Sequence, residues 1–207
     1  MNTFSLPALV CVLSLVAAAW PAAAEDRPLL AVPGKSRIAL TNTTKAHEGE
    51  AVLAAAASRN PEIFGSVKEV ELVDFHDFAE PPMKHKSGNA DRVPGEHART
   101  AWVSSADGMI FWGPYDKLDA GNYFIVYRLR FFDKLATGEV AFLDVAQNAV
   151  TASGLRPKAA EVPPGKWHEI ALPLKVASTK DYEFRLWGSG KKMAMDRVYI
   201  FKAKANP

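Results

Sequence analysis

The chain has 207 residues, with 25 Lys and Arg against 23 Asp and Glu, a net charge of +2 and no basic block. That balance argues against nucleic acid as a partner, because phosphate binding needs a concentrated Lys/Arg face. Its one cysteine, Cys11, lies in an N-terminal apolar run, so the rest of the chain must be held by its core and not by disulfides.

Residues 6–19 are apolar, and Trp20-Pro21-Ala22-Ala23-Ala24 leads abruptly into charged Glu25-Asp26-Arg27. Ala22 and Ala24 fit the small-residue rule for cleavage, so residues 1–24 read as a signal peptide cut after Ala24. No Lys or Arg precedes the run. A membrane anchor is the alternative, but the run is shorter than the roughly 20 residues that span a bilayer. Val10 is too large for the residue before a lipidated Cys. The expectation is a secreted or periplasmic protein with no membrane span in the mature chain.

About 180 mature residues suffice for one domain that buries roughly 70% of its unfolded surface. Residues 25–65 read as an N-terminal extension. Residues 37–40 suggest a short strand. Residues 49–59, GEAVLAAAASR, are the one predicted helix, ended by Asn60-Pro61 because proline disfavours helix in the residue before it. The extension either packs on the β-rich remainder of the chain or acts as a spacer.

From Ser66 onward the pattern is β. Residues 67–75 form a strand, 78–94 a polar loop, and 99–104 and 109–112 short strands. Gly113-Pro114 reads as a turn that leaves Trp112 and Tyr115 in or near a loop. Residues 122–131 alternate strictly, with Tyr123, Ile125, Tyr127 and Leu129 on one side and Phe124, Val126, Arg128 and Arg130 on the other. A period of two predicts a half-buried strand. Residues 138–146 and 167–174 repeat the pattern, with Pro163-Pro164-Gly165 as a turn between them. In 181–187, Tyr182, Phe184 and Leu186 point inward, and Glu183, Arg185 and Trp187 outward. After a turn at Gly188-Ser189-Gly190, residues 193–202 close the domain with a bulge at Asp196-Arg197. Short strands without intervening helices predict an all-β protein. The expected fold is an antiparallel β-sandwich, a jelly roll over 66–203, with a short N-terminal extension carrying one helix.

A run of motifs then carries a resemblance. Gly108-x-Ile110, Leu118-x-x-Gly121-x-Tyr123-x-x-x-x-Arg128, Gly138-x-Val140-x-x-x-Asp144-Val145, Gly165-x-Trp167-x-x-Ile170, Tyr182-Glu183-Phe184-Arg185 and Met195-Asp196-Arg197-Val198-x-Ile200 occur in this order. Over about 66–202 the chain resembles galactose-binding-like jelly-roll domains, and among them carbohydrate-binding modules. The resemblance implies a structural calcium ion held by Glu71 and Asp196, with help from Asp74. Val73 stands where that family often has a second acid. It also implies a glycan or polysaccharide as partner, although one scaffold hosts many sites.

Sugar binding sets its own requirements. A pyranose presents a C–H face that stacks on Trp or Tyr, and hydroxyls that call for bidentate polar groups. Trp112, Tyr115 and Trp187 are the candidate stacking residues; Trp102 and Trp167 read as core or rim packing. The polar candidates are Arg128, Glu183 and Arg185, with Arg130 beside them. If their strands are neighbours, these residues form either a concave reading platform or cross-strand ion pairs on a solvated sheet, which stabilise by under about 1 kcal/mol each. His76, His85 and His97, with Asp74 and Asp77, match no standard zinc spacing. The chain has no Gly-x-Ser-x-Gly elbow and no phosphate loop. A jelly-roll lyase would need a base and acid beside an Arg, with Tyr127, His168 and Arg185 as the nearest ingredients. The leading expectation is a non-catalytic carbohydrate-binding module. The alternative is a structural or protein-interaction sandwich of the cell envelope.

Overall fold

The predicted alternation is realised, and it builds two sheets. The computed structural model describes residues 38–40, 46–93, 99–135 and 137–204. Its elements run β1 (Ala39–Leu40), α1 (Ala46–Arg59), α2 (Pro61–Phe64), β2 (Glu69–Asp77), β3 (Lys84–His85), β4 (Asn89–Val93) and β5 (Arg99–Ser104). They continue with β6 (Asp107–Leu118), β7 (Gly121–Phe131), β8 (Ala141–Gln147), β9 (Val150–Leu155), β10 (Trp167–Val176), β11 (Lys180–Ser189) and β12 (Met193–Ala203).

The first sheet has seven strands centred on β12. One side of β12 pairs with β7, which carries β10 at its far edge. The other side pairs with β5 along Met193–Met195 and with β2 further on, with β4 and β1 outside them. The second sheet has five strands in the order β3-β6-β11-β8-β9. Every pairing is antiparallel except that of β1 with β2. This is the expected β-sandwich.

The main core lies between the sheets. Ile125, Tyr127 and Leu129 from one sheet meet Phe111, Phe184 and Leu186 from the other, each fully buried. Each such apolar side chain contributes about 1.5–3 kcal/mol by leaving water. A second core lies on the far side of the seven-stranded sheet. There Leu53, Ala56 and Phe64 pack on Val70, Phe124, Val126 and Phe201. The strand β7 is therefore buried on both faces over Phe124–Val126, not half-buried as its alternation suggested. The helix α1 ends at Arg59, as Asn60-Pro61 required, and Pro61 then opens α2 at a position where its missing N–H costs nothing.

Arg59 ties the helix to the sandwich. Its Nη1 lies 2.7 Å from His168 Nδ1, while His168 Nε2 lies 2.6 Å from the Pro163 carbonyl oxygen. Arg59 can only donate, so Nδ1 accepts, and Nε2–H donates to Pro163. Burial holds this imidazole neutral, lowering its pKa from 6.5 to about 4 against the pull of the Pro163 carbonyl; the charges of Arg59 and Lys166 add to the lowering. Below about pH 6.5 the unfolded chain takes a proton there that the folded chain refuses until about pH 4. The stability is intact above that window and falls through it, by about 3 kcal/mol for a shift of this size. Urea midpoints at pH 7, 5 and 4 should show the fall, and His168→Gln should flatten it.

Candidate functional site

The outer face of the five-stranded sheet gathers most of the candidate binding residues. In β11, Tyr182, Phe184 and Leu186 go into the core, which leaves Glu183, Arg185 and Trp187 on the outside. Register then sets their neighbours. Glu183 stands opposite Tyr115 and Arg185 opposite Trp112. On the other flank, Arg185 stands opposite Asp144 and Trp187 opposite Phe142. Lys84 pairs with Trp112, and Asp144 with Gly154. Lys84, Trp112, Arg185, Asp144 and Gly154 thus form one row across all five strands.

Gly113-Pro114 makes this face. These residues do not turn the chain. They lie within β6, two of them against the single Phe184 between the pairs Trp112–Arg185 and Tyr115–Glu183. That is a β-bulge, where proline is tolerated and glycine supplies positive φ, here +94°. Trp112 and Tyr115 are three apart, so a regular strand would send them to opposite faces. The extra residue returns them to the same face. The loop placement expected for both is corrected accordingly.

Tyr115 is 60% exposed. Glu183, opposite it on β11, favours the protonated hydroxyl and raises the phenol pKa above its usual 10. Lys84 Nζ sits 6.0 Å from the Tyr115 ring centre. Trp112 and Trp187 are half-buried. Trp187 Nε1 is sealed from solvent with no hydrogen-bond partner among the described residues. Phe142 lies over Gly154, where a Cβ would fall 2.8 Å from its ring, and the Arg156 guanidinium covers it at 4.3 Å.

Arg185 is the most constrained polar group on the face. Its Nε donates to Asp144 Oδ1 at 3.0 Å and its Nη2 to Asp144 Oδ2. Nη1 donates to the Ala149 carbonyl at 3.2 Å, and Thr151 completes the cluster with a 2.6 Å bond to Asp144 Oδ2. The Asp144 hydrogen bonds raise the Arg185 pKa. Asp144 is fully buried. The exposed cross-strand pair between Glu183 and Arg185 is replaced by this buried one, whose partner is on β8.

Arg128 does not belong to the face. It lies on β7, in the other sheet, pointing away from the inter-sheet core. There it donates through Nη1 to Asp196 Oδ2 at 2.6 Å and through Nε to Glu169 Oε1 at 3.2 Å, with the Trp167 ring 4.8 Å from its guanidinium carbon. The expected bulge at Asp196-Arg197 is present, two residues against Arg128, and it aims Asp196 at this cation.

The calcium pair is not assembled. Glu71 stands opposite Lys202, six residues along β12 from Asp196, which is about 20 Å of strand. Asp196 is fully buried with Oδ2 on Arg128 and Oδ1 unpartnered. One carboxylate already neutralised by a guanidinium cannot supply the six to eight oxygens that calcium takes. These residues do not fit the ion, and Arg128 supplies the positive charge.

The other tryptophans behave as packing residues. Trp102 packs on the main core and donates Nε1 to the Ser87 carbonyl at 2.9 Å; Trp167 packs beside Phe132 at the third, smaller cluster. The lyase trio does not converge. Tyr127 is sealed in the core with its hydroxyl on the Asp144 carbonyl, and burial pushes its pKa well above 10. His168 is occupied at the α1 junction, and Arg185 faces outward.

No protein-family model matches the sequence, and no curated protein matches it. Among solved structures, the chain is similar to a carbohydrate-binding module from Cellvibrio mixtus lichenase 5A, crystallised with cellotriose. That overlap has 11% identity and a TM-score of 0.47, and covers 65% of this chain and 99% of that one. It is also similar to the xylan-binding CBM22-1 domain of Paenibacillus barcinonensis Xyn10C, at 9% identity and TM-score 0.44 over 65% and 96% of the two chains. A family 35 carbohydrate-binding module from an environmental isolate overlaps at 13% identity and TM-score 0.45 over 65% and 100%. Overlaps of this size assign neither a ligand nor a residue's role. All three are modules of the kind that the sequence motifs resemble.

Proposed function

We propose that this chain is an exported, non-catalytic carbohydrate-binding module that receives a glycan on the outer face of its five-stranded sheet. The observation that carries the reading is the Gly113-Pro114 bulge, which brings Trp112 and Tyr115 onto the face that already holds Glu183, Arg185 and Trp187. Tyr115 supplies an exposed ring for stacking. Trp187, its N–H sealed, offers ring carbon. Glu183, and any Arg185 hydrogen left over from Asp144, read hydroxyls. Arg128, Glu71 and Asp196 have no part in it. Residues 1–24 are removed on export to the periplasm or medium, and residues 25–65 are an appendage to the 66–203 sandwich. An intact mass that retains Met1 in the exported protein refutes this processing.

A glycan array followed by calorimetry on the strongest hit tests the binding. Tyr115→Ala and Trp187→Ala should each weaken it at least tenfold, which corresponds to about 1.4 kcal/mol. Equal affinity in folded variants, or no saturable binding to any glycan, ends the proposal.

A second reading has one observation in its favour. Asp144, Ala149 and Thr151 take most of the Arg185 donors, so the polar row is largely satisfied without a ligand. A structural or protein-interaction domain of the cell envelope would look like this. A blank array from folded protein, spanning neutral and uronate glycans, selects that reading; saturable binding lost in Tyr115→Ala rejects it.

A further inference from the structure

Away from the glycan face, two strands from opposite sheets bring metal-ligating side chains together. In β2, Asp74 and His76 alternate onto one face. Their partners on β12, Ile200 and Val198, both belong to the inter-sheet core. In β6, Asp116 stands opposite Tyr182, another core residue. All three side chains therefore face the gap between the sheets, and all three are half-buried, at its rim. One ligand atom from each lies within 4.8 Å of the other two, and His76 Nε2 is 2.6 Å from Asp116 Oδ2. The His76 ring is backed by fully buried Phe184 at 6.2 Å.

We propose that Asp74, His76 and Asp116 bind one divalent transition-metal ion of the zinc type, which staples the two sheets at this rim. One imidazole and two carboxylates are donors that zinc accepts, at roughly 2.0–2.2 Å each. Donors at that range stand roughly 3–3.5 Å apart around a tetrahedral ion, so side-chain rotations of about an ångström close the set without moving either strand. Water takes the fourth position. Calcium is disfavoured because it wants six to eight oxygens and finds one nitrogen among three donors. On binding, the Nε2 lone pair goes to the metal and the ring proton resides on Nδ1. This donor set differs from the grouping of His76 with His85 that chain proximity suggests. His85 stacks on Trp102 with ring centres 3.7 Å apart and bonds the Phe78 carbonyl.

The mature chain, stripped with chelator, should be titrated with zinc, with cobalt, and with calcium in parallel. The expected result is one-to-one zinc binding, a higher thermal midpoint, and cobalt absorption bands in the visible. Calcium should produce none of these. His76→Gln and Asp74→Asn should each weaken zinc binding at least tenfold, and His85→Gln should leave it unchanged. If His76→Gln does not fold, Asp74→Asn decides alone. Absence of zinc binding by the wild-type chain, an equal response to calcium, or unchanged affinity in the folded Asp74 or His76 variant overturns the proposal. Because glycan binding is read on the opposite side of β6, the two tests fail independently.

Discussion

Arg128→Met should cost the fold about 3–5 kcal/mol at neutral pH, the range for removing one partner from a buried ion pair. Arg128 is 6% exposed and lies between Asp196 at 0% and Glu169 at 8%. Without the guanidinium, two carboxylates remain in a dry site, and Asp196 Oδ1 already lacks a partner. Nothing replaces the cation, because Glu71 is too distant to help Asp196 recruit calcium. Of a total stability of roughly 5–15 kcal/mol, such a loss should lower the thermal midpoint by about 10 °C or more. The deficit should shrink on acidification, since protonation relieves the stranded carboxylates. Asp196→Asn in the Arg128→Met background should recover part of it. Urea unfolding at pH 7 and pH 4 measures both effects, and a loss under about 1 kcal/mol would show that the network is solvated.

Arg185→Met should be as damaging, by about 3–5 kcal/mol, but for a different part of the molecule. It strands Asp144, which keeps only Thr151 as a side-chain donor. It also releases the β8–β9 turn, where Asn148 and Ala149 both take positive φ and the Ala149 carbonyl is held by Arg185. Amide exchange should therefore accelerate along β8 and β9 and stay unchanged where α1 packs on the seven-stranded sheet. The two arginines belong to separate sheets, so their effects should add to within about 0.5 kcal/mol. Uniform acceleration across both sheets would show that Arg185 supports the whole sandwich and not this hairpin.

The strands legible in the sequence are those whose alternation separates an apolar face from a polar one. β11 is the clearest, and β10 comes next. Where both faces are apolar, alternation locates the strand and misjudges its surroundings, as with Phe124 and Val126 under α1. The strands β3, β4 and β9 escape sequence reading, because stretches such as Asn89-Ala90-Asp91-Arg92-Val93 and Val150-Thr151-Ala152-Ser153-Gly154-Leu155 carry no apolar period. They exist because a neighbouring strand offers free backbone groups. At Gly113-Pro114, turn chemistry and bulge chemistry call for the same residues, and only register separates them. Register also decides the site. Trp112, Tyr115, Trp187, Glu183 and Arg185 are recognisable by type, but one sequence does not state which strand lies beside which. Sequence alone therefore groups Arg128 with Arg185, Glu71 with Asp196, and Asp116 with nothing.

The position of β12 has a consequence for how the chain matures. Met193–Ala203 is hydrogen-bonded to β2, β5 and β7 together, so it joins segments far apart in the chain, Asp77 with Arg197 among them. As a ribosome extends the polypeptide, the earlier segments have to wait without their central partner until this last stretch emerges. Until then β2, β5 and β7 lack the strand that joins them, and the seven-stranded sheet cannot close.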